Sequence, residues 1–94
     1  MRYTKSYYVY IMMSISGVIY VGVTSNLQRR VYEHKHSIYK GFTNTYNCKK
    51  LVYYEEICDV GFAISREKQI KKWNRKKKES LIKTINPDFI DLYL

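Results

Sequence analysis

Residues 7–23, YYVYIMMSISGVIYVGV, decide the fold of this chain. β-Branched and aromatic side chains fill residues 7–13 and again residues 18–23, and residues 14–17 (SISG) separate the two runs. Such runs are typical of strands, and a short polar interval that contains glycine is typical of a hairpin loop. The stretch therefore predicts a β-hairpin.

The length of the hairpin loop decides which side chains share a face of the sheet. A three-residue loop that ends at Gly17 pairs Ser14 with Val18 and puts the glycine at the left-handed position that such loops favour. Paired residue numbers then have an even sum, so Tyr10 and Tyr20 project from the same face. A two-residue turn would place the two tyrosines on opposite faces. We expect the shared face if both tyrosines belong to one site.

Periodicity and end signals predict the elements that follow the hairpin. Residues 27–38 have the apolar spacing of a helix, which Ser25 or Asn26 can cap. A polar, glycine-containing loop is expected over residues 40–47, and residues 50–58 (KLVYYEEIC) predict a third strand.

The second half of the chain is predicted to be helical. A helix is expected from about Phe62 to Lys78, with a bend into residues 79–84. Asn86 followed by proline is a favourable start for a short final helix, with the asparagine as its cap. The resulting order is β-β-α-β-α, and residues 1–94 are expected to form a single domain of the α/β (α+β) class.

The charge of the chain favours a polyanionic partner. Seventeen Lys and Arg residues oppose eight Asp and Glu residues, which gives a net charge of +9. Residues 66–83 carry nine of the basic residues and two of the acidic ones. The basic residues form either a solvated helix face or a surface that attracts the phosphates of DNA or RNA, and we favour the second. The residues expected to bind nucleic acid are Lys68, Lys71, Lys72, Arg75, Lys76 and Lys77.

Several other classes of protein are disfavoured by the composition. Cys48 and Cys58 have neither the CxxC spacing nor the histidines of a structural zinc site, so they are expected to be free thiols. No stretch has the length of a membrane span or the pattern of a signal peptide. A membrane-surface role is disfavoured because the basic helix turns its apolar face to the core. A cytoplasmic location is therefore expected.

Three polar residues fall on helix faces that should be apolar. Arg30 and His34 lie one turn apart within the apolar stripe of the first long helix, and Glu67 lies within that of the second. Burying an unpaired carboxylate is costly, so Glu67 is expected either to pair with Arg30 or to bind a cation. Arg30 and His34 can equally be structural groups at the border of the stripe.

These same positions carry a family resemblance. Tyr8-Val9-Tyr10 and Tyr20-Val21-Gly22 resemble the two tripeptides that name the GIY-YIG nuclease superfamily, with Tyr8 in place of the first glycine. Arg30, His34 and Glu67 match further positions of the family motif. The loop GFTNTYN, the strand KLVYYEE, the segment REKQIKKW and the ending NPDFIDLY resemble the small stand-alone branch similar to an excinuclease C subunit. The resemblance covers essentially the whole chain.

The resemblance implies a fold, an activity and a role for each of these residues. The implied fold is a small three-stranded antiparallel sheet flanked by helices, with the site on one face. The implied activity is that of a metal-dependent endonuclease, with DNA as the expected substrate and DNA repair as the expected context. Glu67 would bind one Mg²⁺ or Mn²⁺ ion, and Arg30 would brace the phosphate. Tyr10 would be the general base, and Tyr20 and His34 would position the base or the water.

Three alternatives stay open at this point. The chain could be a nucleic-acid-binding module of the same fold that does not cleave, although an intact set of five motif residues argues against lost activity. RNA could replace DNA as the substrate. Asn86 matches an asparagine that the family often has late in the chain, but helix capping accounts for it equally well.

Overall fold

The computed structural model describes residues 5–36, 38, 41 and 45–93. The elements are β1 (Tyr7–Met13), β2 (Ile19–Thr24), α1 (Leu27–Lys35), β3 (Lys50–Ile57), α2 (Val60–Lys71) and α3 (Arg75–Lys83). The three strands form one antiparallel sheet in the order β2-β1-β3. The predicted order of elements and the three-stranded sheet flanked by helices are confirmed.

The hairpin has the predicted three-residue loop. The amide of Ser14 donates to the carbonyl of Val18 at 2.9 Å, and Gly17 has a φ of +95°. In the resulting register Tyr10 pairs with Gly22 and Met12 pairs with Tyr20. Tyr10 and Tyr20 therefore project from the same face of the sheet, as the even sum predicted.

Both faces of the sheet are covered, so the domain has two apolar clusters. Because side chains alternate along β1, its odd-numbered residues face one cluster and its even-numbered residues face the other. The first cluster joins the odd-numbered side chains to the helices α2 and α3, through Ile70 and Ile82. The second joins Tyr10 and Met12 to Val31 of α1. The helices α1 and α2 thus pack on opposite faces.

The helix α1 is shorter than predicted. It ends at Lys35, with His36 as its cap, whereas the sequence predicts helix to residue 38. The amide of Ile38 donates to the carbonyl of Glu33 at 3.1 Å, a wider turn than that of an α-helix. Ile38 is then 62% exposed and does not extend the apolar stripe. Half of the predicted loop over residues 40–47, namely residues 40 and 42–44, lies outside the described residues.

The prediction of one continuous helix from Phe62 to Lys78 is wrong. It is interrupted between Lys71 and Arg75, where the Asn74 side chain accepts a hydrogen bond from the amide of Lys77 at 2.9 Å. A side-chain oxygen that caps a new helix competes with continuation of the old one. Asn74 therefore ends one helix and starts the next.

The predicted final helix at Asn86 does not form. The Asn86 side chain is buried, and its amide donates to the carbonyls of Val52 at 2.9 Å and Ile90 at 2.8 Å. Its oxygen accepts from the amide of Ile90 at 3.1 Å. Asn86 therefore closes a turn and fixes the C-terminal segment to β3, where Leu92 donates to the carbonyl of Leu51.

The cysteines and the helices bear on two further expectations from the sequence. Cys48 is buried, Cys58 is exposed, and both are free thiols. Among the helices of the described residues, none is long and apolar enough to cross a bilayer.

Candidate active site

The hairpin brings two tyrosine rings together. The ring centroids of Tyr10 and Tyr20 lie 6.2 Å apart, on the face of the sheet that α1 covers. Tyr10 is 1% exposed, whereas Tyr20 is half-buried. The two tyrosines therefore differ in their access to an external substrate.

Gly22 makes room for the Tyr10 ring. A Cβ atom built on Gly22 would lie 2.6 Å from the Tyr10 hydroxyl oxygen and 2.6 Å from its Cζ. Real Cβ atoms do not approach heavy atoms so closely, so any larger residue displaces the ring. Motif matching includes Gly22 but misses this role. The predicted hairpin register does reveal it. In an antiparallel pair the two residue numbers have a constant sum, so a register that pairs residue 14 with residue 18 also pairs Tyr10 with Gly22.

The helix α1 places His34 against both tyrosines. Asn26 caps this helix by accepting from the amide of Arg29, which fixes where its turns fall. Nε2 of His34 lies 2.8 Å from the Tyr10 hydroxyl, and the His34 ring centroid lies 5.4 Å from that of Tyr20. His34 is 1% exposed. The three rings form a compact group, which we call the aromatic triad: Tyr10, Tyr20 and His34.

The His34 ring is neutral at neutral pH. Burial, together with the positive charge of Arg30, lowers the pKa of His34 to about 4, against an opposing effect of Glu33. In the tautomer that carries its proton on Nδ1, Nε2 accepts a hydrogen bond from the Tyr10 hydroxyl. A protonated ring would donate to the Tyr10 oxygen instead. Burial therefore keeps the ring neutral, and its tautomer sets the direction of this hydrogen bond.

Arg30 lies one helical turn before His34. Its side chain is 27% exposed, and its Nε lies 3.4 Å from a carboxylate oxygen of Glu33. The guanidinium is thus close enough to the triad to act on the pKa of His34 and still reaches solvent. A group in this position can contact a phosphate that approaches the triad.

Glu67 is carried by α2, on the other side of the sheet from α1. Its side chain is 13% exposed and pairs with Lys71 at 2.9 Å. The sequence leaves two alternatives for Glu67, an ion pair with Arg30 or a bound cation. In the structure the ion pair of Glu67 is with Lys71 and not with Arg30. The helix α2 contacts both β1 and the edge strand β2. A site that includes both Glu67 and the triad must therefore extend around the β2 edge of the sheet.

An ion pair on β3 fixes the position of α2. Glu55 accepts from Arg66 at 2.9 Å and from the Tyr53 hydroxyl at 2.5 Å. Burial, together with the hydrogen bond to Glu55, raises the pKa of Tyr53 to about 12. Because Arg66 immediately precedes Glu67, this pair also fixes how Glu67 is presented. The sequence-based prediction did not include Glu55 or Tyr53, whose partners are set by tertiary packing.

The donor set around Glu67 fits one weakly held divalent ion. Within the part of the chain that the structure describes, no group of three or more His, Cys, Asp or Glu side chains could form a metal cage. Mg²⁺ is commonly held by one or two carboxylates and completes its shell with waters and substrate phosphates. A single half-buried carboxylate suits that mode of binding.

The predicted basic residues are exposed on α2, on α3 and in the turn between them. Lys77 lies 4.5 Å from the Trp73 ring centroid, and Arg75 pairs with Glu79 at 2.8 Å. A Cβ built on Gly17 would lie 2.8 Å from Nη2 of Arg75, so this surface adjoins the hairpin loop. We call it the basic surface: Lys68, Lys71, Lys72, Arg75, Lys76 and Lys77.

Comparisons with known proteins agree with this fold and its motif. Residues 6–80 match the model of the GIY-YIG catalytic domain. The UPF0213 protein of Desulfotalea psychrophila is 34% identical over 90 residues, which cover 94% of this chain and 81% of that protein. The UPF0213 protein of Syntrophus aciditrophicus is 37% identical over 82 residues, covering 86% and 93% of the two chains.

A solved structure is also similar. The solution NMR structure of a UPF0213 protein from Bacillus halodurans superposes with a TM-score of 0.59 at 26% identity and covers 89% of each chain. Fold and motif together define a GIY-YIG catalytic domain, which is the catalytic domain of a nuclease family. The chain belongs to the GIY-YIG family and is similar to its small UPF0213 members.

Proposed function

We propose that this chain is a metal-dependent endonuclease that hydrolyses phosphodiester bonds in nucleic acid, with DNA as the expected substrate. The observation that carries the proposal is the buried hydrogen bond between Tyr10 and a neutral His34, next to the half-buried Tyr20. A polar pair inside a small core is hard to explain by packing alone, because apolar residues of similar shape would serve as well.

The two tyrosines have different roles in the proposed mechanism. A general base must come within hydrogen-bond distance of the attacking water. The family resemblance gives that role to Tyr10, but the burial of Tyr10 favours Tyr20 in this chain. Tyr20 in its ionised, phenolate form accepts a proton from the attacking water and becomes the neutral phenol, while His34 and Tyr10 pack against its ring. The hydrogen bond between His34 and Tyr10 holds both side chains in place.

Arg30 stabilises the reacting phosphate. Negative charge increases on the phosphate oxygens as water attacks, and a guanidinium fork can donate two parallel hydrogen bonds to them. Glu33 contacts the guanidinium at Nε, and the side chain of Arg30 is 27% exposed, so a substrate phosphate can reach it. The arrangement contributes more to the transition state than to the ground state, which is what catalysis requires.

Glu67 would hold the divalent ion, Mg²⁺ or Mn²⁺. Such an ion supplies Lewis-acid stabilisation of the phosphate and of the leaving oxygen when it is bound. Lys71, the present partner of Glu67, is half-exposed and can turn to solvent or to a phosphate as the carboxylate takes the ion. The leaving oxygen takes its proton from solvent water.

The basic surface binds the nucleic acid. Its charges attract phosphates regardless of sequence, and binding of this kind weakens steeply as the salt concentration rises. Replacing Lys72, Lys76 and Lys77 by glutamine is expected to weaken binding and to flatten that salt dependence. Turnover at saturating substrate should change much less, because none of the three lies in the aromatic triad.

One experiment tests the proposal directly. The protein is incubated with flapped, branched, nicked and plain duplex DNA and with matched RNA, each with Mg²⁺, with Mn²⁺ or with EDTA. We expect cleavage that needs the metal, and we expect Tyr20→Phe to lose it. Tyr32→Phe, which changes an exposed tyrosine on the same helix as His34, is the matched control and should cleave normally.

The outcome also decides between an enzyme and a binding module. If the parent protein binds these substrates but cleaves none of them with either metal, the chain is a binding module and the endonuclease proposal fails. If Tyr10→Phe abolishes cleavage and Tyr20→Phe does not, the general base is Tyr10. Preparations of an inactive variant purified in parallel exclude a contaminating nuclease.

A further inference from the structure

A cavity of about 420 Å³ lies next to the aromatic triad, between the start of α1, the strands β1 and β3, and the C-terminal segment. Its walls include three tyrosines, Tyr8, Tyr54 and Tyr93, and its apolar lining includes Leu27 and Leu51. The volume is within the range of small-ligand sites, which is about 300–1,000 Å³. Tyr8 stands at a motif position where the family has glycine, and neither the motif nor the basic surface includes Tyr54 or Tyr93.

The position of the cavity ties it to the proposed reaction. Tyr8 precedes Tyr10 by two residues on the same strand face, which is about 7 Å along the strand. Tyr54 is the cross-strand partner of Tyr10 on β3. The Tyr10 ring lies over Gly22, that is, towards β2, so it does not fill the space over β3. The accessible Tyr20 pairs with Met12, four residues beyond Tyr8, which is about 13 Å along the sheet. A strand of nucleic acid with a phosphate at Tyr20 therefore reaches the cavity within a few nucleotides, because stacked nucleotides are separated by about 3.4 Å.

The chemistry of the walls suits a flat aromatic ligand. The rings of Tyr8 and Tyr54 meet edge to face, with centroids 6.4 Å apart and an angle of 65° between their planes. Tyr54 is 42% exposed, so its ring is accessible. At the rim, the first turn of α1 contributes the Gln28 amide, which has both a donor and an acceptor for a base edge. Aromatic walls with a few polar groups are how proteins bind unpaired bases.

We propose that this cavity binds one unpaired nucleobase of the substrate strand, a few nucleotides from the phosphate that is cut. The proposal rests on the proposed nuclease function and names the substrate class: nucleic acid with an unstacked base, such as a flap, a branch or a single strand. The net charge of +9 and the exposed Arg29 on α1 favour a ligand that carries phosphates. Tyr8, which stands where the family tripeptide has glycine, supplies one wall.

The test compares nucleic acid with and without bases. Binding of a short oligothymidylate is measured in EDTA, beside a phosphodiester chain of equal length that carries abasic sugars throughout. Both chains have the same charge, so their salt dependences should agree. We expect the parent protein to bind the base-containing chain about tenfold more tightly, the lower part of the range for stacking of one base on an aromatic ring.

Substitutions locate that preference in the cavity. Tyr54→Leu and Tyr8→Leu keep an apolar side chain but remove the ring, and each should bring the two affinities together. Tyr93→Leu removes a third ring of the cavity, which lies on the C-terminal segment, so it tests the cavity without changing a strand. Tyr32→Leu, an exposed tyrosine outside the cavity, is the matched control and should keep the full preference. Thermal unfolding of each variant shows that it is folded.

The outcomes separate this proposal from the nuclease proposal. A parent protein that cleaves nucleic acid but binds both chains equally overturns the base-binding cavity and leaves the endonuclease in place. A base preference that survives in both Tyr54→Leu and Tyr8→Leu also overturns it, because the bases then bind elsewhere. A preference that these variants abolish, in a protein that cleaves nothing, supports the cavity and refutes the endonuclease.

Discussion

The buried neutral His34 should make the protein lose stability as the pH falls. The pKa of His34 is about 4 in the folded protein, compared with 6.5 for an unperturbed histidine, mainly because of burial. Below pH 6.5 the unfolded chain therefore takes up a proton that the folded protein does not. Stability from this residue is present at neutral pH and is lost progressively as the pH falls from 6.5 towards 4.

The size of the effect follows from the two pKa values. Integration between pH 7 and pH 5 gives a loss of about 2 kcal/mol in the free energy of unfolding from His34 alone. That is a large share of the stability of a small domain, which is commonly about 5–10 kcal/mol. The loss should be visible well above the pH at which most carboxylates titrate.

Urea unfolding, followed by the fluorescence of Trp73, the single tryptophan, measures it. The control is His34→Gln, whose side chain accepts a hydrogen bond from Tyr10 but does not titrate. Because all other ionisable groups are common to both proteins, the difference between their pH dependences isolates His34. The parent should lose about 2 kcal/mol more than the variant between pH 7 and pH 5. Equal losses would refute the assignment of a buried, neutral histidine.

Three further changes test the site and its support. Gly22→Ala should displace the Tyr10 ring, destabilise the fold by about 1–3 kcal/mol and abolish most cleavage; normal stability and cleavage would disprove the close contact. Glu67→Gln should reduce cleavage by orders of magnitude and leave affinity for nucleic acid unchanged or slightly higher, as measured by filter binding; normal cleavage would make Glu67 a structural partner of Lys71 only. Asn86→Ala should destabilise the protein by about 2–4 kcal/mol in urea unfolding, because it leaves buried groups without partners, and should retain cleavage per folded molecule. Loss of cleavage at normal stability would instead place Asn86 in the site.

The hairpin could be predicted in detail because its information is local. Loop length, the position of Gly17 and strict alternation of side chains together fix the register, and the register places Tyr10 and Tyr20 on one face. The same register also pairs Tyr10 with Gly22, so the close approach of the ring was implicit in the sequence.

Elements that depend on competing hydrogen bonds could not be predicted in the same way. The sequence predicts an unbroken helix through Asn74 and a helix cap at Asn86. Asn74 caps a helix, whereas Asn86 bonds across the fold to Val52, a partner 34 residues away. Which partner an asparagine side chain finds depends on tertiary packing, which the local sequence does not contain. The same reason applies to the pair of Arg66 with Glu55, which lies on another element. The pair of Glu67 with Lys71 is local, because residues four apart on a helix are neighbours, and the helical spacing alone predicts it.

The small size of the domain makes its proposed site residues part of its core. Tyr10 and His34 are among the largest fully buried side chains, whereas Arg30 and Glu67 retain contact with solvent. A substitution at either buried residue therefore changes both the chemistry and the fraction of folded protein. A substitution at Arg30 or Glu67 changes mainly the charge presented to substrate. Activity lost by variants of Tyr10 or His34 must therefore be corrected for the fraction of protein that is unfolded. Activity lost by variants of Arg30 or Glu67 tests the chemistry without that correction.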